Sequence, residues 1–173
     1  MNKFLLLIFV FSISRGQNKI ELNKEGVIPI VTEVEGKSAE DLYLKTKEWI
    51  QLNYKSPSEV LKADIKNDMI RINGFSKGFF TSKYVITNYF DVDYNIEFLF
   101  KDGKYKYIFT INDVTTQGKK IFYTVPSEFF KKDGTVRSTY SDAYATLLSS
   151  INDLYISHYN YISGKTQTVK NDW

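Results

Sequence analysis

Residues 94–111, YNIEFLFKDGKYKYIFTI, constrain the fold more than any other stretch of the chain. Asp102-Gly103 predicts a two-residue type I′ turn, because glycine adopts the positive φ that such a turn requires. Folding the strand back about that pair sets Phe100 against Tyr105, Phe98 against Tyr107, Ile96 against Phe109 and Tyr94 against Ile111. The opposite face receives Lys101 with Lys104, Leu99 with Lys106, Glu97 with Ile108, and Asn95 with Thr110. A slip of one residue would turn the whole aromatic set into water, so the register is tightly specified. A sheet with one greasy and one solvated face needs a second layer on the greasy side.

Two amphipathic segments supply that layer. Ser38 and Asp41 form an N-cap pattern, with Glu40 and Asp41 placed for the first turn of a helix over about 39–52. Leu42, Thr46, Trp49 and Ile50 fall on one stripe of it, and Pro57 stops it. A second, longer helix starts at Ser138 or Ser141. Its stripe is Tyr144, Leu147, Leu148, Ile151, Leu154, Tyr155, His158 and Ile162, with Gly164 as the C′ residue.

The remaining strands read less sharply. Val27–Val34 is a short β-branched run in which Pro29 forces the strand to start after it or to lie at an edge. A two-residue turn at Asn67-Asp68 would pair Ile65 with Ile70, Ala63 with Ile72 and Leu61 with Gly74, leaving Asp64 beside Arg71 and Lys62 beside Asn73 on the solvent face. Gly74 then marks a place where a helix could approach closely. Gly78 suggests a bulge, Thr115–Lys120 a turn, and Ile121–Val125 one more short strand. The order is β-α-β-β-β-β-α with that optional strand. It predicts an α+β domain of two layers: an antiparallel sheet of four to five strands with helices on one face.

Residues 1–16 stand outside this unit. Lys3 followed by the apolar run Phe4–Ile13 has the form of a secretory signal, too short to span a bilayer. Small residues Ser14 and Gly16 place cleavage before Gln17, with a cut after Ser14 as the rival. The expected layout is a signal peptide at 1–16, a flexible arm at 17–26, one domain at 27–163 and a polar tail at 164–173. Losing Lys3 and Arg15 takes the 23 basic residues to 21 against 20 acidic ones, so the apparent charge of +3 becomes +1. That near-neutrality withholds support from a polyanion-binding role. The chain has no Cys, so neither a disulfide framework nor an acylated cysteine is available, and no stable membrane anchor is expected after signal cleavage.

GKSAEDLYLKTKEWI at 36–50, the hairpin at 61–74 and FLFKDGKYKYIFTI at 98–111 together resemble an uncharacterised secreted bacterial domain of unknown function with a TBP-like fold. The resemblance covers about 28–114. It implies a curved antiparallel sheet backed by helices and export to the cell envelope, and it carries no catalytic or binding residues.

The residue pattern itself assembles no catalytic, cofactor or metal site. His158 is the sole imidazole, and its position on an apolar stripe reads as a hydrogen-bonded packing histidine. Asp91, Asp93 and Glu97 share one strand face at i, i+2 and i+6, a spacing compatible with Ca²⁺ binding or an acid/base couple and also with a solvated face. Tyr140, Tyr144, Tyr155, Tyr159 and Tyr161 crowd the last helix and suit sugar or protein contacts. Lys62, Arg71, Lys101, Lys104 and Lys106 on the outer sheet face are diluted by acids and amides, and the wedge residues of a minor-groove binder are modest there, so no nucleic acid partner is expected. Two functions remain. The first is an exported, secreted or periplasmic module that binds an envelope protein, peptide or glycan without catalysis and without a cofactor. The second is an envelope hydrolase using Asp91, Asp93 or Glu97.

Overall fold

A computed structural model describes residues 19–83, 86–120 and 125–165. The expected signal peptide, most of the expected strand at 121–125, and the tail from 166 lie outside the described residues. In chain order the elements are β1 (Leu22–Asn23), β2 (Gly26–Val27), β3 (Ile30–Glu33), α1 (Ala39–Asn53), α2 (Pro57–Val60), β4 (Leu61–Ile65), β5 (Met69–Lys83), β6 (Thr87–Lys101), β7 (Lys104–Thr116), β8 (Lys119–Lys120) and α3 (Ser141–Ile162). Strands β3 to β8 form one antiparallel sheet in the order β3-β7-β6-β5-β4, with β8 folded back onto β7. Among the described residues the sheet thus has six strands, because Gln117-Gly118, both at positive φ, turn the chain tightly enough for Lys119–Lys120 to pair with Thr115–Thr116. The two-layer α+β class is as the patterning predicts.

The β6–β7 hairpin adopts its expected register from Lys101↔Lys104 to Tyr94↔Ile111, and one bulge then shifts Asp93 opposite Asp113. Gly103 has φ +75. Its neighbour Asp102 does more than turn the chain: the carboxylate accepts from Ala39 N at 2.8 Å, while Gly103 N donates to Lys37 O and Val34 N to Gly103 O. The hairpin tip therefore docks onto the start of α1, where an acidic group also suits the helix dipole. Ser38 and Asp41 complete a reciprocal capping box on the same turn.

The first hairpin departs from its expected register. Asn67 takes φ +61, the turn gains a residue, and the pairs become Ile65↔Met69, Asp64↔Ile70 and Ala63↔Arg71, with a bulge before Leu61↔Ile72. One step moves Asp64 from the solvent face to the helix side. There Tyr43 Oη donates to its Oδ1 at 2.5 Å and Lys47 Nζ to its Oδ2 at 2.7 Å, tying the edge strand to α1. Gly74 is small for a different reason from the one expected. A Cβ there would sit 2.5 Å from the ring of Tyr94 on the neighbouring strand.

Strand β5 bulges between Ser76 and Phe80 and continues past the reach of β4. Its far backbone is satisfied by α3 instead. Asp142 accepts from Lys83 N, Thr146 exchanges hydrogen bonds with Thr81 N and O, and Ser150 donates to Phe79 O. Steps of four along the helix, about 6 Å, match steps of two along the strand, about 6.6 Å. A helix face thereby covers what would otherwise be an open sheet edge.

Helices α1 and α3 lie on the aromatic face. Trp49 meets Phe98 edge-on, Tyr107 meets Tyr155, and Leu147 and Ile151 are fully buried. Strand β3 starts after Pro29 at the sheet edge, as the proline requires. Residues 20–23 correct the expectation of a flexible arm: Ile20 and Leu22 are buried, and Ile20 N donates to Asn152 Oδ1 at 2.9 Å. Two buried apolar side chains at i and i+2 and one backbone bond to α3 hold this otherwise polar stretch on the domain.

Candidate functional site

The inner face holds the sole imidazole. His158 is wholly buried, with the rings of Trp49, Phe98 and Tyr105 at 5.2, 4.3 and 5.0 Å between centroids. Its Nε2 lies 2.9 Å from Thr46 Oγ1, and that hydroxyl already donates its one proton to Leu42 O at 2.8 Å. The network therefore assigns the proton to Nε2, which donates to Thr46. Among the described residues Nδ1, the acceptor nitrogen, has no partner. Desolvation pushes the imidazole down to about 3. A neutral ring sealed from solvent packs the interface of both helices with the sheet; it is not placed to exchange protons with a substrate.

Among the described residues no helix covers the opposite face, and the registers align its side chains in rows. The first runs Ile65, Met69, Leu99, Lys106, Val31 across the full width of the sheet. Ile65 and Val31, at its two ends, are 50% and 52% exposed. The next row is Ala63, Arg71, Glu97, Ile108, in which Arg71 Nη2 and Glu97 Oε2 pair at 3.1 Å. Beyond it lie Asn73, Asn95 and Thr110, then Phe75, Asp93 and Asp113. Phe75 is 56% and Tyr89 62% exposed at this end. The face thus grades from an apolar strip to a patch of amides, carboxylates and two open rings.

Each carboxylate singled out from the sequence is on this face and already engaged. Asp91 Oδ1 accepts from Gly78 N at 2.8 Å across the bulge, and Asp93 Oδ1 accepts from Asn112 Nδ2 at 3.2 Å. Asn112 in turn accepts from Asn95 at 3.1 Å, and Glu97 is held by Arg71. They form a row along one strand, and among the described residues no group of three or more His, Cys, Asp or Glu is placed to hold a metal ion. Lys120 bonds Asp113 at 2.9 Å and holds that carboxyl below its usual range. The open rings of Phe75 and Tyr89 escaped the sequence reading. Their signal was alternation: Phe75 continues the outward set Arg71 and Asn73 ahead of the bulge, and Tyr89 continues the outward set Asp93 and Asp91.

These features define a two-layer α+β domain with a buried aromatic interface and one bare sheet face. Residues 30–115 match the model of the "Domain of unknown function (DUF4468) with TBP-like fold", and this segment is similar to that family. The matched span runs from β3 to β7 and leaves α3 outside. Two solved structures share the fold. A DUF4468 family protein from Bacteroides ovatus is 14% identical, with a TM-score of 0.56 over 86% of this chain and 91% of that one. A TBP-like protein from Parabacteroides distasonis is 12% identical, with a TM-score of 0.53 over 81% and 93%. No curated protein matches the chain.

Proposed function

We propose that the chain is exported and acts as a non-catalytic binding module of the cell envelope, its bare sheet face engaging a protein, peptide or glycan. The observation that carries this reading is the row Ile65, Met69, Leu99, Lys106 and Val31, which sets four apolar side chains and one lysine on a face that no helix of the described residues covers. Apolar strips beside amides and open rings have the make-up of interfaces rather than of ordinary solvated sheet. Leu99→Glu and Val31→Glu each place a carboxylate in that row, beside Lys106, without touching the core. Binding to a purified envelope component should be lost in both while the thermal midpoint stays near wild type. Binding that survives both substitutions would remove this face from consideration.

Export is tested separately: N-terminal sequencing of the chain from fractionated cells should begin at Gln17, or at Arg15 for the rival cut. An intact Met1 in the cytosolic fraction would refute it. The alternative, an envelope hydrolase acting through Asp91, Asp93 or Glu97, requires those groups to be free, and each is held by Gly78, Asn112 or Arg71. Any hydrolytic activity that persists in the Asp91→Asn, Asp93→Asn double variant excludes a mechanism resting on that pair.

A further inference from the structure

A second, separate site lies where the far end of the β5–β6 hairpin meets the start of α3. A cavity of about 150 Å³ is lined there by Phe80, Ser82, Phe90, Phe129, Tyr140 and Glu128, among others. Its walls are aromatic and ordered against one another. Phe80 and Phe90 stack at 4.6 Å and 9°, Phe129 stands edge-on to Phe80 at 6.3 Å, and Tyr140 lies 5.6 Å from Phe129. A cavity of about this size in an apolar setting takes a benzene-sized guest. Among the described residues, Glu128 is the one charged side chain on the wall, and no cation pairs with it. The Asp142 carboxylate adds negative charge close by, held at 2.8 Å by Lys83 N, next to Ser82.

We propose that this cavity binds a small organic cation, specifically a quaternary ammonium group. Ring faces attract a cation through their quadrupoles, and quaternary ammonium ions are the ligands such aromatic cages recognise. The chemistry of the lining selects among cations. A primary ammonium is a compact, strongly hydrated charge that loses its water at high cost, and the wall is mostly ring and alkyl carbon, with Glu128 and the hydroxyls of Ser82 and Tyr140 as its polar side chains. A quaternary group has no donors to satisfy and fills the cage with methyls. Glu128 supplies the counter-charge at the rim. This site shares no residue with the bare sheet face and stands or falls independently of it.

The test is calorimetric titration of the purified chain with choline, with its neutral carbon isostere dimethylbutanol and with n-butylammonium, read alongside the methyl signal of Ala143, which also lines the cavity. Choline should bind and shift the Ala143 methyl, and the neutral isostere should bind at least about tenfold more weakly. Glu128→Gln, at a partly exposed position, should keep the fold and weaken choline about tenfold. Ser82→Trp should fill the cavity and abolish binding. The proposal is overturned if choline gives no heat at tens of millimolar, if dimethylbutanol or n-butylammonium binds as well as choline, if Glu128→Gln changes nothing, or if heat appears without movement at Ala143.

Discussion

Acid should weaken this fold through His158, by an amount that follows from its burial. The imidazole sits at about 3 in the folded chain against an ordinary value near 6.5. Below about pH 6.5 the unfolded chain therefore binds a proton that the folded chain refuses. The stability that the neutral ring contributes is fully present above that value and is lost as pH falls toward 3. Each pH unit in this window costs about 1.4 kcal/mol, and integrating from about pH 7.5 to about pH 5 gives a loss of about 2 kcal/mol. That is a large part of the 5–15 kcal/mol typical of a domain. Urea unfolding followed by Trp49 fluorescence at half-unit pH steps reads this directly, since Trp49 packs 5.2 Å from the imidazole. His158→Phe keeps a ring in the aromatic cage and leaves Thr46 bonded to Leu42; its stability should lose the slope between about pH 7.5 and 5 while that of wild type keeps it. The ring protons of His158 in the folded chain should not titrate above pH 5. A titration midpoint near 6, or a His158→Phe variant with an unchanged slope, would refute the dry interface.

Other substitutions test separate parts of the structure. Gly74→Ala drives a Cβ into the Tyr94 ring and should cost about 1–3 kcal/mol by chemical denaturation, most of it absent when Tyr94 is first replaced by Ala. Asp64→Ala and Lys47→Ala should be non-additive by about 0.5–1 kcal/mol, whereas Asp64→Ala and Arg71→Ala should add, because the observed register separates the latter pair. Coupling between Asp64 and Arg71 would restore the two-residue turn. Asp102→Ala removes the carboxylate that caps Ala39 N and should lower stability by about 1 kcal/mol, with hydrogen exchange faster in the first turn of α1. Thr146→Val leaves both backbone groups of Thr81 without a partner and should cost about 1–3 kcal/mol, a loss that Thr146→Ser largely restores.

Where residues specify structure through near neighbours, the sequence was enough. The Asp102-Gly103 turn fixed the register of eight cross-strand pairs, because a slip would have exposed every ring. Ser38 with Asp41, and the stripes from Leu42 to Ile50 and from Leu147 to Ile162, set the helices and the faces they bury, since those signals repeat at 3.6 residues along one chain. The neutral, packed state of His158 was readable from the same stripe.

Only the three-dimensional fold decided what depends on partners far apart in sequence. One residue at positive φ, Asn67, changed the count in the first turn and swung Asp64 from solvent onto α1, a choice that local pattern left balanced because Ile65 and Ala63 could face either way. The pairing of Asp142, Thr146 and Ser150 with the free backbone of β5 joins a helix to a strand some 60–70 residues earlier, and nothing in either segment announces it. The same holds for the aromatic cavity. It is made of side chains from β5, β6 and the turns before α3 that become neighbours only once α3 closes over the end of the long hairpin.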